Sequence, residues 1–179
     1  MGGEGYKIIR ELGKGASGNV QLIEQNNQYY ALKRIPLDNL NEKIKDKYEE
    51  EAKILSNLNS KYIVKYYDSY IKDNNFCILM EYGGSSNLKN YIKRFKEKNQ
   101  LIDETIITNI IIQICLGLKE IHDHKIIHRD LKPENIFINE NKEIKIGDFG
   151  ASKQLDSTIY GRTNNIRTLY YMAPEIITK

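Results

Sequence analysis

Two cysteines in 179 residues are too few to read as a disulfide framework. Cys77 and Cys115 both lie in apolar contexts, which fits reduced, buried thiols of a cytoplasmic protein. Long hydrophobic runs are missing as well. The longest, Ile106 to Leu118, is interrupted by Thr108, Asn109 and Gln113, so it is too short and too polar to cross a bilayer and no membrane partner is expected. Met1-Gly2-Gly3-Glu4-Gly5 has no apolar core of the signal-peptide kind. Tyr6 stands where a myristoylation signal beginning at Gly2 requires Ser or Thr. Charge of one sign is scarce: the net value is +3, and from Lys43 to Lys53 the lysines alternate with Glu and Asp as on a solvated helix face, so nucleic acid is not an expected partner. Internal repeats and low-complexity tracts are absent too. These absences leave a globular chain of one domain or two small lobes, with 40% hydrophobic residues to build its core.

The first part of the chain is rich in strand signals. Tyr6-Lys7-Ile8-Ile9-Arg10 and Val20-Gln21-Leu22-Ile23 carry short apolar patterning on either side of a glycine-rich turn. Asn26-Asn27 predicts a hairpin into Tyr29 to Ile35, a strand stopped by Pro36. Asn41 is placed to cap a helix through Asn57, in which Tyr48, Ala52 and Leu55 or Ile54 recur at helical spacing. Ile63 to Ile71 and Phe76 to Tyr82 read as two more strands joined by Asp73-Asn74-Asn75. Gly83-Gly84-Ser85-Ser86 breaks the composition and reads as a hinge. Beyond it, helices are predicted from about Asn87 to Lys98 and from about Glu104 to His122, with Asp103 as the second cap. Short strands around Ile136-Phe137-Ile138 and Ile144-Lys145-Ile146 precede a polar loop up to Pro174.

Gly13-Lys14-Gly15-Ala16-Ser17-Gly18 has the spacing G-x-G-x-x-G. In dinucleotide-binding folds that string leads from a strand into a helix whose N-terminus binds pyrophosphate. Here Val20 opens a second strand and no helix follows for many residues, so a dinucleotide-dependent oxidoreductase is set aside. His122, His124 and His128 show no H-E-x-x-H pairing, and neither cysteine is close in sequence, so they read as helix-end polar residues and a structural histidine rather than as metal ligands. The most informative stretch is His128-Arg129-Asp130-Leu131-Lys132-Pro133-Glu134-Asn135, followed by Asp148-Phe149-Gly150. It places a base, a cation and two metal-binding side chains on two neighbouring loops.

These motifs match H-R-D-L-x-x-x-N and D-F-G, and from about Tyr6 to Glu175 the chain resembles eukaryotic-type serine/threonine protein kinases. The resemblance implies an α+β, two-lobed fold: a β-rich N-lobe with one helix over 1–82, a hinge over 83–86, and a helical C-lobe over 87–179. It implies ATP and Mg²⁺ as cofactors and a protein substrate with a Ser or Thr acceptor. Asp130 would be the base, Lys132 the cation beside the transferring phosphoryl group, and Asn135 and Asp148 the Mg²⁺ ligands. Lys33 ends Tyr30-Ala31-Leu32-Lys33, similar to V-A-I-K, and would contact the phosphates and pair with a helix Glu. Glu51 is that Glu in preference to Glu49 and Glu50, because Glu51-Ala52-Lys53-Ile54-Leu55 fits the family's phase best. Gly13, Gly15 and Gly18 would cover the phosphates. Adenine would lie between Val20 and Ala31 above and Phe137 below, with hydrogen bonds from the backbone of Glu81 to Gly83 and with Met80 gating the rear pocket. Phe149, His128, Leu55 and Tyr66 would form an internal spine.

The Asp-x-Lys loop points to Ser/Thr rather than Tyr acceptors. Tyr66-Tyr67-Asp68-Ser69 and Ile146-Gly147-Asp148-Phe149-Gly150 resemble the NIMA-related group, whereas Ala151-Ser152-Lys153 is similar to kinases acting on MAP-kinase kinases. Met172-Ala173-Pro174-Glu175 matches A-P-E, yet Arg167-Thr168-Leu169-Tyr170-Tyr171 replaces the usual G-T-P-x-Y. The usual phosphosite aligns with Asn164. Thr163 is therefore the expected target of an upstream kinase, with Ser157, Thr158 and Tyr160 behind it, and its phosphate would pair with Arg129. Relatives carry several helices after A-P-E, so the resemblance implies a C-lobe cut short, with apolar surface exposed. The rival reading is a nucleotide-binding or scaffolding module without turnover.

Overall fold

The computed structural model describes residues 5–15, 18–37 and 42–154. Three strands open the chain: β1 (Lys7–Gly15), β2 (Gly18–Gln25) and β3 (Gln28–Pro36). Helix α1 (Glu42–Ser56) follows, then β4 (Tyr66–Lys72) and β5 (Asn75–Glu81). The five strands form one antiparallel sheet in the order β1-β2-β3-β5-β4. Two of its hairpins are made by left-handed pairs, Asn26 (φ 51°) with Asn27 (φ 59°) and Asp73 (φ 48°) with Asn74 (φ 57°). Such turns match the strand twist, and Asn and Asp tolerate that backbone because their short side chains bond locally.

The second part begins with β6 (Ser86–Asn87), helices α2 (Leu88–Glu97) and α3 (Glu104–Asp123), and β7 (Ile126–Ile127). Asn87 caps α2 by accepting from Asn90 N at 2.9 Å, and Asp103 caps α3 by accepting from Thr105 N at 2.8 Å. A 3₁₀ turn over Pro133–Asn135 leads into β8 (Ile136–Ile138), β9 (Ile144–Ile146) and β10 (Lys153–Gln154). Strands β6, β8 and β9 form a three-stranded sheet, and β7 pairs with β10. This is the protein kinase fold: a five-stranded antiparallel N-lobe sheet with one helix, joined to a C-lobe with two helices among the described residues.

Apolar spacing decides where the lobes join. On α1, Tyr48 and Ala52 pack on Ile35, Phe76 and Ile78 of the sheet, whereas Ile54 and Leu55, followed by Leu58 just past the helix end, enter the C-lobe core with Ile110, Ile121, Ile136, Ile146 and Phe149. One helix thus belongs to both cores, and any displacement of it is felt on both sides.

Three expectations need correction. Ile63 to Ile71 is not one strand, because β4 starts at Tyr66. Val64 N bonds Ile146 O at 2.9 Å and Ile146 N bonds Tyr62 O at 2.8 Å, so this apolar run is drawn to β9 instead of the sheet. Cys77 is buried, but Cys115 is exposed. Helix α3 buries Ile110, Gly117 and Ile121 and turns Ile107, Ile111, Ile112 and Leu116 outward, and Cys115 goes with them. Finally, α3 runs beyond the Ile106–Leu118 stretch and at 20 residues is long and apolar enough to cross a membrane on length and composition alone. Its Gln113 nevertheless donates to Lys142 O (2.9 Å) and accepts from Ile144 N (3.1 Å), which ties the helix into the lobe.

Candidate active site

Directly paired residues of an antiparallel sheet share a face. Val20 pairs with Lys33, and Ala31 pairs with Met80. Because Ala31 and Lys33 are two apart on β3, all four side chains line the same side of the sheet. Gly18 (φ 114°) could not be replaced without collision, since an added Cβ would lie 2.6 Å from Arg34 O. Gly13 faces Val20 and Gly15 faces Gly18 across the β1–β2 ladder, while Ala16 and Ser17 lie outside the described residues.

Lys33 Nζ meets both carboxylate oxygens of Glu51, at 2.7 and 2.9 Å. The side chains are 5% and 3% exposed, whereas Glu49 and Glu50 face solvent. Beside this pair sits Gly150. A Cβ built there would lie 3.2 Å from Glu51 Oε2, 3.4 Å from Lys33 Nζ and 3.4 Å from Asp148 Oδ1, so the three charged groups converge on the D-F-G turn.

The loop after β7 is held by its own side chains. Arg129 (φ 61°) and Asp148 (φ 58°) both take left-handed backbone, which costs on the order of 1 kcal/mol or more for such residues. Arg129 is fixed there by donating to Ala151 O (2.6 Å) and Ser152 O (3.3 Å). Asp130 Oδ2 accepts from Lys132 Nζ at 2.8 Å and from Asn135 Nδ2 at 3.0 Å. Asn135 Nδ2 also donates to Asp130 O at 2.9 Å. Both side-chain bonds fall on one oxygen of Asp130, Oδ2.

His128 is buried against Phe149, with ring centroids 4.8 Å apart. Phe149, Leu55 and the partly buried Tyr66 belong to one core cluster. The His128 partners fix its tautomer: Nε2 donates to Gly147 O at 3.1 Å, and Nδ1 accepts from Asp130 N at 3.4 Å. Burial pushes its pKa below the ordinary 6.5, against the raising influence of Gly147 O and the Asp148 and Asp130 carboxylates. The unfolded chain therefore takes up this proton before the folded one does. His128 contributes stability above the ordinary value and loses it as pH falls toward the depressed one. Thermal midpoints measured from about pH 7.5 down to about pH 5.5 are expected to decline, and to decline less in His128→Phe, which keeps the ring contact but cannot protonate. Parallel curves would contradict this.

Phe137 lies against the hinge, since a Cβ on Gly83 would fall 3.0 Å from its Cβ. Glu81 N is already bonded to Lys65 O at 2.8 Å, so it is the Glu81 carbonyl, not its amide, that could serve a ligand. Glu134, unremarked in the sequence beyond its place in the motif, pairs with Lys89 at 2.8 Å. That hydrogen bond holds its carboxyl below the usual range. Thr163, Ser157, Thr158, Tyr160 and the A-P-E motif lie outside the described residues.

The metal ligands implied by the motifs fit Mg²⁺. Asn135 spends its amide nitrogen on Asp130 and has Oδ1 to offer, and Asp148 carries an exposed carboxylate. Hard oxygens of this kind, few in number and completed by phosphate and water, are what Mg²⁺ takes. Among the described residues no group of three or more His, Cys, Asp and Glu side chains could hold a metal alone.

A family model described as "Protein kinase domain" matches residues 6–179. The chain belongs to the protein kinase domain family. Among curated relatives, this kinase domain is 39% identical over 96% of its length to "Probable serine/threonine-protein kinase nek2" of Dictyostelium discoideum, and spans 43% of that protein. It is 33% identical over 97% of its length to "Serine/threonine-protein kinase Nek1" of Mus musculus, spanning 14% of it. Against "Serine/threonine-protein kinase Nek11" of Homo sapiens it is 34% identical over 96% of its length and spans 27%. The kinase domain thus covers less than half of each of these relatives, and its resemblance is to the Nek, or NIMA-related, serine/threonine kinases. The family uses ATP with Mg²⁺ and acts on proteins.

Proposed function

We propose that this chain transfers the γ-phosphoryl group of Mg-ATP to serine or threonine hydroxyls of a protein substrate. The observation that carries the reading is the convergence of Lys33, Glu51 and Asp148 around Gly150, next to a loop in which Asp130 is held by Lys132 and Asn135. Phosphoryl transfer asks little covalent chemistry of a protein and much positioning and charge stabilisation. Glu51 holds the Lys33 ammonium toward the nucleotide phosphates. Asp130 orients the acceptor hydroxyl and takes its proton, and Lys132 offsets charge on the group in transit. Asn135 and Asp148 would hold Mg²⁺, whose charge would offset that of the ATP phosphates. Thr163 is our candidate for the activating phosphosite, paired with Arg129. The free thiols of Cys77 and Cys115 support a cytoplasmic location.

Thermal unfolding with ATP tests the reading. Millimolar Mg-ATP is expected to raise the midpoint, ATP with chelator is expected to do so much less, and Asp148→Asn is expected to shrink the Mg²⁺-dependent part. Equal shifts with and without Mg²⁺ would sink the metal assignment.

A further inference from the structure

Lys145 sits on β9 between two buried residues, Ile144 and Ile146, where strand alternation points its side chain away from their core. It does not extend into solvent. Its Nζ lies 3.0 Å from Glu81 Oε2 and donates to Lys61 O at 3.0 Å. The same Glu81 oxygen accepts from Lys65 N at 3.2 Å, and Glu81 N donates to Lys65 O at 2.8 Å. The two charged side chains are 24% and 27% exposed. One ammonium therefore ties together three segments: the connector between α1 and β4, the last residue of β5 at the hinge, and the strand that reaches Asp148 three residues later.

An isolated ion pair at this exposure would be worth little. Here the carboxylate oxygen is shared by an ammonium and a backbone N–H, and the ammonium is shared with a carbonyl, so the groups act as one network. We infer that Lys145 is a positioning residue for the nucleotide. By holding the Glu81 side chain behind the hinge, it fixes the backbone of Glu81 to Gly83 that faces adenine, in register with β9. The Lys33–Glu51 pair is closed in the same structure, so the Lys145 network coexists with the formed ion pair. This inference rests on the nucleotide reading above.

Affinities of the 179-residue chain for adenosine and for Mg-ATP, by titration calorimetry, test it. Lys145→Met should weaken both ligands by the same factor, about 5-fold. Adenosine has no phosphates, so an equal loss locates the effect at the hinge. Glu81→Leu, which removes the acceptor, should match it, the double variant should be no weaker than either single one, Lys145→Arg should bind as the unaltered chain does, and Lys96→Met on the exposed face of α2 should change nothing. A lysine of merely structural importance would lower the melting temperature of the free chain and leave the affinity of the folded protein intact. If Lys145→Met fails to fold, Glu81→Leu is measured in its place and should lose the same factor for both ligands. A folded Lys145→Met that binds adenosine as well as the unaltered chain, or a loss confined to Mg-ATP, would overturn the inference alone. An unaltered chain that binds neither ligand would remove the nucleotide reading, and this inference with it.

Discussion

Asp130→Asn is expected to lower the phosphotransfer rate by about 10²–10⁴-fold, the range a positioned general base contributes. The substitution is nearly isosteric. An amide oxygen can still accept from Lys132 and Asn135, as Oδ2 does now, so the loop keeps its shape while the group loses its capacity to take a proton. The loss should therefore appear in kcat, with KM for ATP and the thermal midpoint close to their starting values. A change of less than about 10-fold would show that Asp130 is not the base.

The second large effect concerns the buried pair. Lys33→Met leaves the Glu51 carboxylate 3% exposed with its ammonium partner removed. Breaking a buried ion pair from one side typically costs about 3–5 kcal/mol, because the remaining charge stays desolvated. Lys33→Met should thus lose both phosphotransfer and a large part of its stability in denaturant titrations. Glu51→Gln should lose activity strongly with a smaller stability cost, since an amide can still accept from the Lys33 ammonium. The double variant Lys33→Met/Glu51→Leu should regain stability, as apolar replacement of a buried pair often does, and stay inactive. Glu50→Gln should behave as the unaltered chain, its side chain being in solvent. Equal losses in Glu50→Gln and Glu51→Gln would contradict the helix phase.

That phase was readable through the family resemblance, in which the glutamate is followed by an apolar helix end. Glu51-Ala52-Lys53-Ile54-Leu55 puts the glutamate one turn before Leu55, and 3.6-residue periodicity then carries Ala52 to the sheet and Ile54 and Leu55 to the other lobe. The asparagine hairpins were equally legible, because few residues adopt left-handed backbone willingly. Ile63 and Val64 misled for a physical reason: a β-branched pair suits any strand-like partner, and nothing local says that the partner is β9 from the distant half of the chain. Cys115 misled in a similar way. Helix α3 is apolar nearly all round, so its sequence does not mark which stripe is covered. The two-residue strands β6, β7 and β10 carry no periodicity to read. Lys145 looks like any outward strand lysine until Glu81, 64 residues earlier, is brought beside it.

The central claim, transfer of a phosphoryl group from Mg-ATP to a protein hydroxyl, is tested most directly by phosphoamino-acid analysis of a generic protein substrate incubated with the purified chain and γ-labelled ATP. The account predicts label on serine and threonine, dependent on Mg²⁺ and lowered about 10²–10⁴-fold in Asp130→Asn. Mg²⁺-dependent nucleotide binding with no labelled serine or threonine would contradict it and leave a nucleotide-binding scaffold in its place.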